Sequence, residues 1–220
     1  MIEKKKERIS IPNYTLSEEL INSISHGIAA GLSIWGLVML IIKASKVGAM
    51  AVTTVTLFGT TMIILYTISC IYHALSPRIT GKKVMRVIDH CNVFLLVFGT
   101  IIPIALVGIK GVYGWIYFGI VAFVTLLGII FSSIDVDKNE KIEVVCHLVN
   151  GWSALFFIKP LINGVGMTGL ILIILGGVMY SLGALLYGLG SKKKYMHSVF
   201  HFFCIAGTIF HYFAIYLYVL

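Results

Sequence analysis

Seven apolar runs, each long enough to cross a lipid bilayer, limit what this chain can fold into. They fall at about 20–43, 51–75, 86–108, 112–133, 143–160, 166–190 and 196–219, and one crossing takes roughly 20 apolar residues. Hydrophobic residues make up 59% of the chain and charged residues only 12%, about half the charge of an ordinary soluble domain. The expected fold is an all-α integral membrane protein, a seven-transmembrane helix bundle. The runs are joined by short connections, so neighbours should pack antiparallel in a single domain, 20–220, behind a basic cytoplasmic head, 1–19. Small residues such as Gly27, Gly31, Gly176, Gly177 and Gly183 would let the backbones approach closely.

The head carries Lys4, Lys5, Lys6 and Arg8, and Thr15-Leu16-Ser17-Glu18 reads as a capping box opening the first helix. No small-residue cleavage site follows the first run, so no removable signal peptide is expected. With the N-terminus in the cytoplasm, thirteen basic residues face inward. They are those four, Arg78, Lys82, Lys83, Arg86, Lys138, Lys141, Lys192, Lys193 and Lys194. Only Lys43, Lys46, Lys110 and Lys159 face outward. The positive-inside rule then places the N-terminus in the cytoplasm, and an odd number of crossings places the C-terminus outside. The net charge of +8 is scattered over these loops, which suits the lipid headgroups of the plasma membrane rather than nucleic acid. Cys70, Cys91, Cys146 and Cys204 lie within or at the ends of runs, so no disulfide framework is expected.

The middle of the runs holds almost no charge, which argues against an ion pump or proton-coupled carrier. His211, deep in the last run, is expected to form an interhelical hydrogen bond. The other polar residues gather at one depth. His197 and His201 sit one helical turn apart, roughly 40° round the axis, so both rings can reach a single point. Ser69 and His73 end the second run, Asp89-His90 lies one turn into the third, and Glu19, Asn22 and His26 share the inner end of the first. Four helices thus carry polar groups to one layer near the cytoplasmic surface, where they persist mainly when paired, metal-bound or facing a wet cavity. Three imidazoles with an open fourth position form a catalytic zinc site, in which bound water has a pKa of about 7. The expected ligands are His73, His197 and His201. Asp89 is expected to hold or deprotonate the water, as base and then acid, and Ser69 to steady an oxyanion or orient a ligand. Glu19, Asn22 and His26 would form the supporting shell.

The same residues carry a resemblance. Glu19-x-x-Asn22-x-x-x-His26, Ser69-x-x-x-His73, Asp89 sixteen residues on, and His197-x-x-x-His201 resemble the motif set of the haemolysin III family. That family is the bacterial branch of the progestin and adiponectin receptor superfamily, itself similar to the alkaline ceramidases. The resemblance covers nearly the whole chain, including seven spans and a cytoplasmic N-terminus. It implies zinc held by His73, His197 and His201, with Asp89 contacting it through water. It also implies a lipid-facing cavity, with ceramidase-like amide hydrolysis in some relatives.

Other readings stay open. Ser69 could bond back to its own helix carbonyl. Glu19 and Asn22 could cap or join helices, and His90 and His147 could serve packing. Cys70 and Cys204 could face the cavity and offer a thiolate as fourth ligand, or be small apolar helix residues. Asp135-Val136-Asp137-Lys138-Asn139-Glu140 lacks the glycine and spacing of a calcium loop and reads as a solvated cytoplasmic turn. Lys192-Lys193-Lys194 reads as a topology determinant. Three functions follow: a zinc-dependent hydrolase of a lipid amide or ester, a zinc-stabilised regulator of membrane lipid state, and a cytolysin. The seven spans, which would hold a toxin in its producer's membrane, count against the third.

Overall fold

The computed structural model describes residues 9–190 and 193–220. Lys4, Lys5, Lys6, Arg8 and Lys192, which entered the charge count for orientation, lie outside the described residues. Within them every regular element is helical: α1 Leu16–Ala44, α2 Ala49–Ala74, α3 Gly81–Pro103, α4 Gly111–Ile134, α5 Val136–Trp152, α6 Ile158–Gly190 and α7 Met196–Ala214. Wider π-helical turns extend α3 through Ile104–Ile109 and α7 through Ile215–Val219, and a 3₁₀ turn, Ser153–Phe157, joins α5 to α6. Each helix packs on its neighbour in sequence, and α7 returns to α1, so the bundle closes into a ring.

α1 is built inside out, as a helix in lipid must be. Asn22, His26, Ala29, Ser33, Gly36 and Leu40 recur at three- and four-residue spacing and are buried. Ile24, Ile28, Leu32 and Trp35 are exposed along the opposite stripe. Polar and small groups turned inward, with a belt of large apolar side chains outward, would be ruinous in water and is ordinary in hydrocarbon. A capping box opens the helix as the sequence predicts: Glu18 N–H donates to Thr15 Oγ1 at 3.4 Å, and Thr15 N–H donates to Glu18 Oε2 at 2.8 Å. The helix starts at Leu16, and Glu18 and Glu19 in its first turn are buried.

Six helical stretches among the described residues are long and apolar enough to cross a membrane, where the sequence predicts seven. The difference lies in Val136–Gly190, a stretch of 55 residues that covers the fifth and sixth expected runs. It is not one rod. Trp152 Nε1 donates to Ser181 Oγ at 3.0 Å across 29 positions, and a straight helix would hold those residues about 43 Å apart. The chain therefore doubles back between them. The break is Gly166, with φ 70° and ψ 174°, a conformation that only glycine adopts without strain. The two legs, 136–165 and 167–190, lie against one another.

Two loop assignments change. α3 starts at Gly81 rather than near 86, which makes Lys82, Lys83 and Arg86 helical. α5 starts at Val136 rather than 143, so Asp137 is helical, and it is paired while still partly exposed: Arg86 Nη1 donates to its Oδ1 at 2.5 Å and the Ser10 N–H to its Oδ2 at 2.7 Å. Deeper in the bundle the sequence reading holds. His211 is buried with Nε2 3.1 Å from the Ile173 carbonyl, and Gly176 leaves the space its ring fills.

Replacing Gly166 with alanine should cost about 1–3 kcal/mol, read as a lower Tm of the detergent-purified protein. Gly31→Ala, which meets no atom within 4 Å, should leave Tm unchanged or raise it.

Candidate metal centre

The ring closes where α7 meets α1, and the histidines collect at that seam. Glu18 and Glu19 of α1, the last turn of α2 and the first turn of α7 all lie at the same end of the bundle. Glu18 does more than cap its own helix. Its Oε1 accepts from the Tyr195 N–H at 2.7 Å, holding Tyr195 in a left-handed conformation (φ 64°) just before α7 begins. That contact sets the start of α7, and with it the position of His197 two residues later.

His73, His197 and His201 are buried, and each offers a ring nitrogen within 4.8 Å of the other two. Their mutual ring distances are 4.8 to 5.3 Å. His197 Nε2 and His201 Nε2 stand 3.1 Å apart. A tetrahedral zinc bound at 2.0–2.1 Å holds its nitrogens about 3.3 Å apart, so this pair already has the required spacing. His73 has its tautomer set by its partner. Glu19 Oε2 lies 2.6 Å from His73 Nδ1, and a carboxylate only accepts, so Nδ1 carries the proton. Nε2 is then a free lone pair, buried and without a hydrogen-bond partner. A carboxylate behind a histidine whose far nitrogen is orphaned is the usual arrangement around a metal. The three side chains therefore fit a metal ion.

Glu19 is itself held. Lys82 Nζ, whose side chain is 0% exposed, donates to Glu19 Oε1 at 2.5 Å and to the Leu75 carbonyl at 2.8 Å. The sequence reading assigned Lys82 to a cytoplasmic loop. Its signal was there: Lys82, Arg86 and Asp89 are four and three apart, one face of a helix begun earlier. Of the other expected neighbours, the Asn22 amide lies 3.4 Å from His73 Nδ1. His26 packs its ring 3.9 Å from that of His201 and edge-on to Tyr66, with both nitrogens unpartnered.

Asp89 and Ser69 line a cavity of about 170 Å³ together with His26, His197 and His201. Ser69 stands beside the Asp89 carboxylate on the wall of this cavity. Cys204 also lines this cavity, whereas Cys70 faces α1, with its Sγ 3.4 Å from Ser23 Oγ. Neither thiol joins the converging nitrogens. The rest of the wall is largely apolar, with Val93, Leu96, Val97, Ile101 and Ile104 from α3 and its extension.

Tyr14 has no place in the sequence reading, yet it covers the histidines at their end of the bundle. Its ring stacks on His197 at 4.8 Å and lies 5.9 Å from His73. Burial raises its phenol above the ordinary range, so it stays neutral. The segment leading to it is pinned by Ser10, whose carbonyl accepts from Arg86 Nη1 at 2.8 Å.

Two outcomes follow. Lys82→Met leaves the Glu19 charge buried and unpaired, which should destabilise the protein by about 3–5 kcal/mol; adding Glu19→Gln should recover much of the loss in the same unfolding assay. Tyr14→Ala should speed the loss of bound metal to a water-soluble chelator severalfold without lowering the metal content before chelation.

The family model described as Haemolysin-III related matches residues 14–212. The chain is similar to Hemolysin-3 of Bacillus cereus, 35% identical over 216 residues, covering 97% of each protein. It is also similar to a Hemolysin-3 homolog of Bacillus subtilis, 35% identical over 196 residues, 89% of this chain and 91% of that one. With helices built to cross a membrane several times, this multi-pass membrane chain belongs to the haemolysin-III related family.

Proposed function

We propose that the chain is a zinc-dependent hydrolase of a membrane lipid amide or ester. It would cross the plasma membrane seven times, with a cytoplasmic N-terminus. The observation that carries this reading is one cavity in which reactive groups and hydrocarbon share a wall: His197, His201, Asp89 and Ser69 line it together with the aliphatic residues of α3. His73, His197 and His201 would hold the zinc, which when bound supplies Lewis-acid polarisation and water of lowered pKa. Asp89 takes a proton from the attacking water and returns it to the leaving group. Ser69 fixes the carboxylate for both steps. Glu19 and Lys82 hold His73 in one tautomer and orientation, and the apolar wall keeps out bulk water while taking the acyl chain.

A second reading, a regulator whose zinc only ties α2 to α7, draws support from Tyr14 covering the site. The relatives are named hemolysins, and on this chain the exposed apolar belt favours a resident membrane role over lysis of a target.

The hydrolase reading is tested in proteoliposomes with fluorescent N-acyl and O-acyl lipids. Asp89→Asn should lower turnover by about 10²–10⁴-fold with metal content unchanged. Fully metal-loaded wild type that hydrolyses neither class would overturn this reading in favour of the regulator.

A further inference from the structure

A second polar group faces the same cavity and takes no part in the metal centre. His90 Nδ1 donates to Glu143 Oε2 at 2.8 Å, joining α3 to α5. Glu143 is 4% exposed, and its other oxygen, Oε1, is buried with no hydrogen-bond partner. Ser132 of α4 stands beside this carboxylate, yet its hydroxyl completes no hydrogen bond either. One turn along α5, His147 stacks on Phe94 at 3.8 Å and leaves Nδ1 buried and unpartnered. Glu143, His147 and His90 all line the cavity that also holds His197 and His201. Tyr187 stands between the two groups, its ring 6.2 Å from His90 and 5.8 Å from His197.

A buried carboxylate oxygen without a donor is costly. Glu143 Oε1 can only accept, and His147 Nδ1 accepts when its proton sits on Nε2, so a group with several hydrogen-bond donors completes both. A bare metal ion fits poorly, because among the described residues only His73, His197 and His201 converge closely enough for one. A carboxylate head would be repelled, and a hydroxyl has one hydrogen for two acceptors. A primary ammonium has three donors, a charge opposite to that of Glu143, and reach at ordinary hydrogen-bond distances. The apolar wall beyond it suits an alkyl chain.

We propose that Glu143, clamped by His90 and assisted by His147, is a recognition site for the amine head of a single-chain lipid. The proposal deepens the hydrolase reading and rests on it for its place in a reaction. Hydrolysis of an N-acyl lipid breaks the C–N bond, puts the oxygen of water on the acyl carbon as a carboxylate, and puts both of its hydrogens on nitrogen. The product is a primary ammonium, released across the cavity from the histidines. On this assignment the chain prefers N-acyl over O-acyl lipids.

The test measures binding and needs no turnover. Trp152 lines the cavity, whereas Trp35 and Trp115 are exposed on the outer surface. The full chain carrying Trp35→Phe and Trp115→Phe, in phosphatidylcholine nanodiscs, is titrated with ω-bromoundecylamine, ω-bromoundecanol and ω-bromoundecanoic acid as quenchers. A Trp152→Phe version gives the background. The amine should quench saturably at concentrations about tenfold or more below the alcohol, as for a charged hydrogen bond, and the acid should be weakest. Glu143→Gln should erase the amine preference and keep alcohol binding, which also reports an intact cavity; Glu143→Asp should keep part of it. Equal binding of the three probes, or a preference that survives in Glu143→Gln, overturns the proposal. Should wild type prove inactive on lipids, the hydrolase reading falls while this result still stands or fails by itself.

Discussion

Glu19 places a carboxylate between His73 and Lys82 in the interior of the bundle, and much of the surrounding architecture follows from keeping it there. A charge at that depth needs an opposite charge and every hydrogen bond it can make. Lys82 supplies the charge from α3, and His73 the second donor from α2, so α1, α2 and α3 are tied at one point. In return His73 is locked with its proton on Nδ1 and its Nε2 turned inward. A histidine that could flip or exchange tautomers would be a poor ligand. The ionic contact therefore acts on chemistry through geometry, as the support behind a metal ligand does.

The closure of the ring explains why the first and last helices matter most. α7 brings two histidines and α1 the residues that orient them, and the two helices share the seam at which the bundle shuts. Three contacts hold their register: Glu18 on the Tyr195 N–H, Ser17 Oγ with the Tyr195 hydroxyl at 3.1 Å, and Tyr14 on His197. Farther in, Tyr66 of α2 and Tyr180 of α6 both reach Thr208 of α7, at 2.6 and 2.8 Å. Inside hydrocarbon such bonds join helices that no hydrophobic force would hold together.

What the sequence made legible is what periodicity encodes. His197 and His201 at spacing four, Ser69 and His73 at spacing four, and Glu19, Asn22 and His26 along one stripe all declared a common face and a common depth. The capping box fixed the start of α1, and the structure brings all of these residues together. What stayed hidden were partners that come from elsewhere in the chain. Lys82 and Arg86 looked like loop cations because basic residues near a span end usually are, yet both are buried against carboxylates. Asp137 looked solvated for the same reason. The break between the fifth and sixth runs was legible, expected between 160 and 166, but that Gly166 makes it shows only in its φ. Glu143 was overlooked and His147 was read as a packing residue, because only the cavity lining shows that their unpartnered atoms belong to one site.

The claim on which the rest depends is that His73, His197 and His201 hold zinc. The most direct measurement is elemental mass spectrometry of protein purified in detergent without chelators, wild type beside His197→Ala/His201→Ala. The account predicts about one zinc per chain in wild type, as for a mononuclear three-histidine site, and none in a double variant that still elutes as folded protein. Metal-free wild type, or zinc retained in the double variant, would contradict it.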